Sequence, residues 1–425
     1  MNKRLHCFYD LAVSPCSFDF FQFLIIAEIN RIRDNFNEIE LTFISGPNHG
    51  FREDNLRTYE QNEQYFQNVI WPGCQLLPSI KSVKLETDRK RVEILHLDPS
   101  TIFPRGYSII HPINDYICNG ITTSHFLGED TINFKAPDYA IKSASKFINN
   151  TKNKKILILS TRELERDDNL GVRSIEHNVW KDFLTSLDSD EWIKIVIRDT
   201  NSSFSSEKLF DEIVEADFAS YHLHLRFALY ELSNINIFKS NGPAILSLYG
   251  NLTPTVMFLE FDNTVTAMSQ NWFRGTLGMV KGSQFPLTRK NNLIIWEKEN
   301  KENLIKAINI IEGNSSIKYK YDNDYFNIEN LLYTTEVAIN YTLKNMLYDI
   351  RKVDLKIFRK YDTLVERKII NGPSSLELIK SQEGKLIPEG FKSKLLEKNE
   401  MYGNILELNT SKFDRKINFA TNFNS

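Results

Sequence analysis

The chain has 425 residues, 41% of them hydrophobic and 25% charged, with 29 Phe and 17 Tyr, enough for two or three domains with sizeable cores. A net charge of −3 argues against a general affinity for nucleic acid or an anionic membrane. The four cysteines, Cys7, Cys16, Cys74 and Cys118, form neither a C-x-x-C pair nor a zinc-like pattern with histidine, so they read as reduced core residues.

The N-terminal run "MNKRLHCFYDLAV" begins basic, but Asp10 interrupts its apolar stretch; it does not read as a signal peptide, and the chain is expected in the cytoplasm. "RLHCFYDLAV" is a strand. "SFDFFQFLIIAEINRIRDNF" follows with helical spacing, Ser17 as N-cap and Phe20, Leu24, Ala27 and Ile32 on or near one face. It is too broken by Asp19, Gln22 and Glu28 to be a membrane span, which needs roughly 18–20 apolar residues. "IELTFISG" completes a strand–helix–strand unit suited to a right-handed parallel crossover. A loop, "GPNHGFREDNLR", precedes the helix "TYEQNEQYFQNVI", and short strands "SVKLET", "RVEILHL" and "YSIIHP" follow.

A second unit starts near residue 135 with the helix "APDYAIKSASKFINNT", Pro137 near its start and Asp138 in its first turn. "KKILILST" reads as a strand buried on both faces. The helix "IEHNVWKDFLTSL", strand "WIKIVIRDT", helix "SYHLHLRFALYELSN", strand "INIFKS", helix "GPAILSLYG", strand "PTVMFLEF" and the final pair "NNLIIWE" and "KENLIKAINIIEG" complete a parallel sheet of about five strands. Residues beyond 330 open with a long charged helical stretch and end in a polar tail. Arg351, Lys352, Lys356, Arg359 and Lys360 lie there among apolar residues, either as a solvated face or as a peripheral membrane contact.

Ligands of an open parallel sheet bind outside the carboxyl ends of its strands. In the second unit those positions hold Thr161-Arg162-Glu163, Arg198-Asp199-Thr200, Ser240-Asn241-Gly242-Pro243 and Glu260-Phe261-Asp262. Two strand-end arginines, with backbone amides at a helix start after Asn241, suit an anion. Gly242 allows close approach, and Pro243 fits a first helical position; a plain strand-to-helix corner explains the same residues. The charged loop "TRELERDDNLGVRSIEHNVW" brings Arg162, Arg166 and Arg173, with Asn178 in the next helix, either as a solvated loop or as a cationic clamp on a diphosphate. In the first unit Asp10, Asp19 and His49 are candidate general bases; the simpler alternatives are an N-terminal helix acid for Asp19 and an ordinary loop histidine for His49. His222 and Arg226 share a helix face, but no third ligand completes a metal site. Walker, G-x-G-x-x-G and G-x-S-x-G motifs are missing from the sequence. Asp188-Ser189-Asp190 and Asp322-Asn323-Asp324 read as turns.

The segments "FYDLAVSPCSFDFFQFLIIAEINR", "FISGPNHGFRED", "STRELERDDNLGVRSIEHNVWKDF", "IVIRDT" and "LRFALYELSNINIFKSNGP" resemble bacterial GT-B glycosyltransferases associated with surface polysaccharides. On that resemblance Arg162, Arg173 with Asn178 and Trp180, Arg198 with Asp199, and Asn241, Gly242 and Pro243 correspond to donor-site positions, although "VRSIEHN" stands where such sequences carry "RNSN". The resemblance implies two Rossmann-like domains facing a cleft, residues 1–134 for the acceptor and 135–325 for the donor, with a helical C-terminal extension over 326–425. It further implies metal-independent transfer from a nucleotide-sugar donor to a glycan acceptor, with no cofactor beyond the donor substrate. A sugar-nucleotide epimerase and a non-catalytic binding protein that kept the fold are the alternatives.

Overall fold

The computed structural model describes residues 3–313, apart from 54–56, 93–96, 105–106, 111, 113, 115–120, 122–133, 149–153, 164–172, 201, 206, 212, 251–252, 263–267, 271–272, 274–278, 280 and 286–291. The C-terminal extension with its basic cluster, Arg166, Cys118 and Asp322–Asp324 therefore lie outside the described residues.

The first unit is built on β1 (Arg4–Asp10), β2 (Glu38–Ile44), β3 (Ile80–Glu86) and β4 (Ile102–Phe103), all parallel, in the order β3-β2-β1-β4. Between β1 and β2 runs α1 (Asp19–Arg33); α2 (Tyr59–Tyr65) and the single turn α3 (Trp71–Gly73), joined by a π-helical turn, lead to β3. The expected strand at "YSIIHP" is not formed: Tyr107–Ile110 are irregular, and the last strand is the two-residue pair Ile102–Phe103 beside His6 and Cys7. That pair is too short for any alternation to betray it.

The second unit starts with α4 (Asp138–Ile148) and carries β5 (Lys155–Ser160), α5 (His177–Ser186), β6 (Trp192–Ile197), β7 (Val214–Glu215), α6 (Phe218–Tyr221), α7 (Leu223–Leu232), β8 (Ile235–Lys239), α8 (Ala244–Leu248), β9 (Thr255–Phe258), β10 (Leu293–Ile295) and α9 (Lys301–Ile311). Its described strands number six, not five, again because a two-residue strand, β7, escapes pattern reading; all are parallel, in the order β7-β6-β5-β8-β9-β10. The helix expected over "SYHLHLRFALYELSN" breaks at His222, whose backbone is extended and whose ring accepts from Leu225 N to start α7 afresh. Both units are thus Rossmann-like α/β layers. Among the described residues no helix is long and apolar enough to cross a membrane.

The helix α1 is buried nearly all round, from Phe20 and Phe21 to Ile29, because it lies between its own sheet and the second unit. One continuous core includes Phe20, Phe21 and Phe43 from the first unit and Phe227, Tyr230 and Phe238 from the second. The crossing point of the chain is stitched to both: Phe134 N donates to Tyr249 O at 3.1 Å and Lys135 N to Leu76 O at 2.8 Å. Phe134 also meets Phe21 edge-on at 5.6 Å. His224 on α7 adds a further bridge, its Nε2 lying 2.7 Å from Pro72 O. A carbonyl can only accept, so Nε2 carries the proton and Nδ1 accepts from the Tyr139 hydroxyl; burial lowers the pKa of this ring.

Glu231, also on α7, accepts from Ala136 N at 3.2 Å through Oε2, while its Oε1 is buried with no partner among the described residues. Burial pushes its carboxyl up to about 7 from 4.5, against the opposing effects of the Ala136 amide and Lys135. The folded state therefore holds this proton more tightly than the unfolded chain. The resulting stability is fully present below about pH 4.5 and is lost as the pH rises to about 7. Glu231→Gln should remove this dependence: melting curves across that window should show wild type losing ground to the variant as the pH rises, with the difference constant above it.

Candidate functional site

In the second sheet the chain leaves β5 towards β6 and β7 but leaves β8 the opposite way, towards β9 and β10. The strand order therefore reverses between β5 and β8, and the carboxyl ends of those two strands flank the crevice where such a sheet binds ligands. Ser160, Thr161 and Arg162 stand on one side of it and Ser240, Asn241 and Gly242 on the other.

Asn241 ties the two sides together. Its Nδ2 donates to Ser160 O at 3.1 Å, and its Oδ1 accepts from Ala244 N at 3.2 Å. Ser160 Oγ in turn accepts from Tyr230 at 3.1 Å. The helix that follows has only five residues, Ala244–Leu248. Of the amides expected to be open at this corner, Pro243 has none and that of Ala244 is already bound. What approaches Gly242 is Phe18, from the start of the first unit: a Cβ on Gly242 would lie 2.8 Å from the ring. The corner is thus a joint between the units, with Asn241 as its brace.

Charge is supplied by arginine. The half-buried Arg173 donates from Nε to Ser240 O at 3.1 Å. Burial and the nearby Arg162 depress its pKa to about 10, while Asp19 and Asp199 support the charged form. Arg162 and Arg173 are therefore close enough to repel one another, and Asp19 belongs to the first unit. The start of α1 and the corner after β8 therefore meet at this group. Arg198 points elsewhere: it grips Glu163 with Nη2 at 2.6 Å and Nε at 3.1–3.2 Å, donates to Glu207 O at 2.8 Å, and has Glu215 at 3.8 Å. Asp199 accepts from Glu163 N at 2.7 Å, and burial raises its pKa. Asn178 is exposed on the first turn of α5.

The three candidate bases differ sharply. Asp10, fully buried at the end of β1, accepts from Arg89 twice at 2.8 Å, from the Tyr107 hydroxyl at 2.6 Å and from Ala12 N at 3.0 Å. Its lone pairs are filled. Asp19 opens α1, half-buried, with Ser17 Oγ donating to its Oδ2 at 2.7 Å, and it faces Arg173. His49 is exposed at the tip of a hairpin turn, φ +50° followed by Gly50 at +95°, with Phe51 N donating back to Asn48 O; two left-handed residues in a row make this a type I′ turn. Its ring lies 5.3 Å from that of Tyr59.

Sequence reading missed Arg89 and Tyr107, which lie 79 and 97 residues from Asp10 and carry no local signal. It also missed a buried cluster beside the crevice. Lys239, the last residue of β8 and 2% exposed, binds Glu299 and, at 2.8 Å, Glu260; Glu299 also accepts from Glu176 N. A lysine ending the fully buried strand "INIFK" was the available hint. Among the described residues no group of three or more His, Cys, Asp or Glu side chains gathers as a cation site. Asp188 caps its own turn through Asp190 N at 2.8 Å, as expected of a turn residue.

No family model matches the chain, and no curated protein matches it. Among solved structures it is similar to a family 9 glycosyl transferase from Veillonella parvula, at 10% identity, covering 74% of this chain and 99% of that one, with a TM-score of 0.43. It is also similar to the ADP-heptose lipopolysaccharide heptosyltransferase II of E. coli, at 7% identity, 74% and 100% coverage and a TM-score of 0.36. A third similarity is to a UDP-N-acetylglucosamine 2-epimerase described as putative, from Listeria monocytogenes, at 10% identity, 80% and 96% coverage and a TM-score of 0.26. Likenesses this loose leave the chemistry to be read from the residues of this chain.

Three variants separate scaffold from site. Asp10→Asn strands the Arg89 guanidinium and should cost about 3–5 kcal/mol of stability, read as a lowered denaturation midpoint. Arg198→Ala, by leaving Glu163 with only the Thr161 hydroxyl, should likewise lower the midpoint, whereas Arg173→Ala should not, because it removes a desolvated charge.

Proposed function

We propose that this chain is a glycosyltransferase that moves a sugar from a nucleoside-diphosphate donor to a hydroxyl of a glycan acceptor. The observation that carries the reading is the placement of Arg173 and Arg162 at the strand-order reversal of the second sheet, with the Asp19 carboxylate facing them from the first. A guanidinium whose pKa is depressed by burial and then by a second arginine forms a site whose energy falls when an anion arrives. A diphosphate carries the charge and the planar oxygen pairs that suit arginine forks.

On this reading the donor's diphosphate lies along Arg162 and Arg173, and the acceptor hydroxyl approaches from the first unit beside Asp19. The hydroxyl oxygen attacks the anomeric carbon as the bond from that carbon to the diphosphate oxygen breaks. The hydroxyl proton passes to Asp19, and the electron pair leaves with the diphosphate, whose growing charge the two arginines stabilise without a metal ion. Ser17 holds the receiving carboxylate in place. A single displacement of this kind inverts the anomeric centre. An epimerase would need a second free carboxylate, and the lone pairs of Asp10 are filled.

Two measurements test it. A nucleoside diphosphate present at 100 times its Kd should stabilise the protein by about 2.7 kcal/mol, seen as a rise in melting temperature with at least one of ADP, UDP, GDP or CDP, and Arg173→Ala should abolish the rise. Asp19→Asn should keep that rise but slow transfer by about 10²–10⁴-fold. Undiminished transfer by Asp19→Asn removes it as the base, and unchanged nucleotide binding by Arg173→Ala removes the site.

A further inference from the structure

One feature of the same rim is unused by the donor chemistry. Phe204 and Tyr221 stack with ring centroids 5.6 Å apart and planes 7° from parallel. Both are exposed, at 71% and 43%. Scattered exposed aromatics need no explanation, but these two come from separate segments and are fastened together from beneath. Phe204 rides on the turn after β6, where Ser203 N donates to Asp199 O at 3.0 Å and Ser203 Oγ to Thr200 O at 2.7 Å. Tyr221 ends α6, whose Ser220 O accepts from Thr200 Oγ1 at 3.0 Å while Ser220 Oγ donates to Arg198 O at 2.9 Å. The buried Arg226 then reaches Ala219 O at 2.7 Å and Arg198 O at 3.2 Å. Six hydrogen bonds thus hold a flat apolar face in place in water, one strand along from the crevice.

We propose that the Phe204–Tyr221 pair is a stacking platform for a neutral pyranose ring of the acceptor glycan. This rests on the transferase reading above. A pyranose presents an apolar face of axial C–H groups that an aromatic ring accepts edge or face on, and its rim of hydroxyls needs neutral polar neighbours. Among the described residues the turn supplies Ser202, Ser203 and Ser205 on either side of Phe204, none of them charged. The pair's position fixes the occupant. The phosphates take the β5–β8 crevice, and the platform lies beyond β6, on the side away from β8, β9 and β10, where an extended acceptor can continue past the reacting sugar.

The test uses the full chain with maltoheptaose, chitotetraose and lactose as probes, followed by saturation-transfer NMR and titration, beside the nucleoside diphosphates. Wild type should receive saturation on saccharide ring protons from its aromatic side chains. Phe204→Ala should weaken that binding about tenfold with nucleoside diphosphate affinity unchanged, and Phe204→Trp should restore it. Because both rings are exposed, the truncation leaves the core intact. Saccharide binding that survives Phe204→Ala and Tyr221→Ala together overturns the platform, as does a Phe204→Ala variant that loses the nucleotide instead, which would make the pair a nucleobase stack. Failure of all three saccharides to bind a wild type that still binds a nucleoside diphosphate also overturns it and leaves the donor site standing. Failure of the wild type to bind any nucleoside diphosphate is the failure of the underlying transferase reading.

Discussion

The contact between the Phe18 ring and Gly242 is the constraint on which the site depends. A methyl group at Gly242 would sit 2.8 Å from that ring, so only glycine lets the start of α1 close on the corner after β8. Once closed, the corner has Asn241 bracing β5 to β8 and Arg173 hanging its guanidinium from Ser240 O. Asp19, the residue after Phe18, is carried into the field of Arg173 by the same contact. Packing between apolar groups thus decides where opposite charges from two separate sheets meet.

The electrostatics of the two units divide into charges that are satisfied and charges that are held in tension. Asp10 with Arg89 and Tyr107, Arg198 with Glu163, and Lys239 with Glu260 and Glu299 are closed sets at the carboxyl ends of β1, β6 and β8. Each consumes the donors or acceptors that a ligand would need, and each fixes the end of a strand. Arg173 differs because a second arginine opposes it and its carboxylate neighbours influence it through space. A buried charge without a closed partner set is costly to fold. It is also the arrangement that a charged ligand relaxes.

Much of the architecture was legible in the chain. Long apolar strands such as "KILILS" and "INIFK", and helices with clear faces, announce a parallel α/β sheet, and the carboxyl edge follows from topology alone. What escaped were elements of two residues, β4 and β7, too short to show a period, and the break at His222, where a capping ring overrides helix propensity. At the site, reading which residues follow each strand pointed to Arg162 and Asn241, and the charged loop after β5 to Arg173; the approach of Asp19 from the first unit carried no such signal. Nor could strand ends say where each side chain points. Arg198 and Asp10 look as available as Arg173 and Asp19 in the sequence, and only the distant partners Glu163 and Arg89 distinguish them. Gly242 was read as room for a ligand; in the fold that room is taken by Phe18.

The nearly all-round burial of α1 has a mechanical consequence. A helix gripped over most of its circumference by one shared core cannot be peeled from either half without wetting Phe20, Phe21 and Phe23. Wide hinge opening is therefore closed to this molecule, and its halves can only swivel about that rod, which also obliges them to melt together.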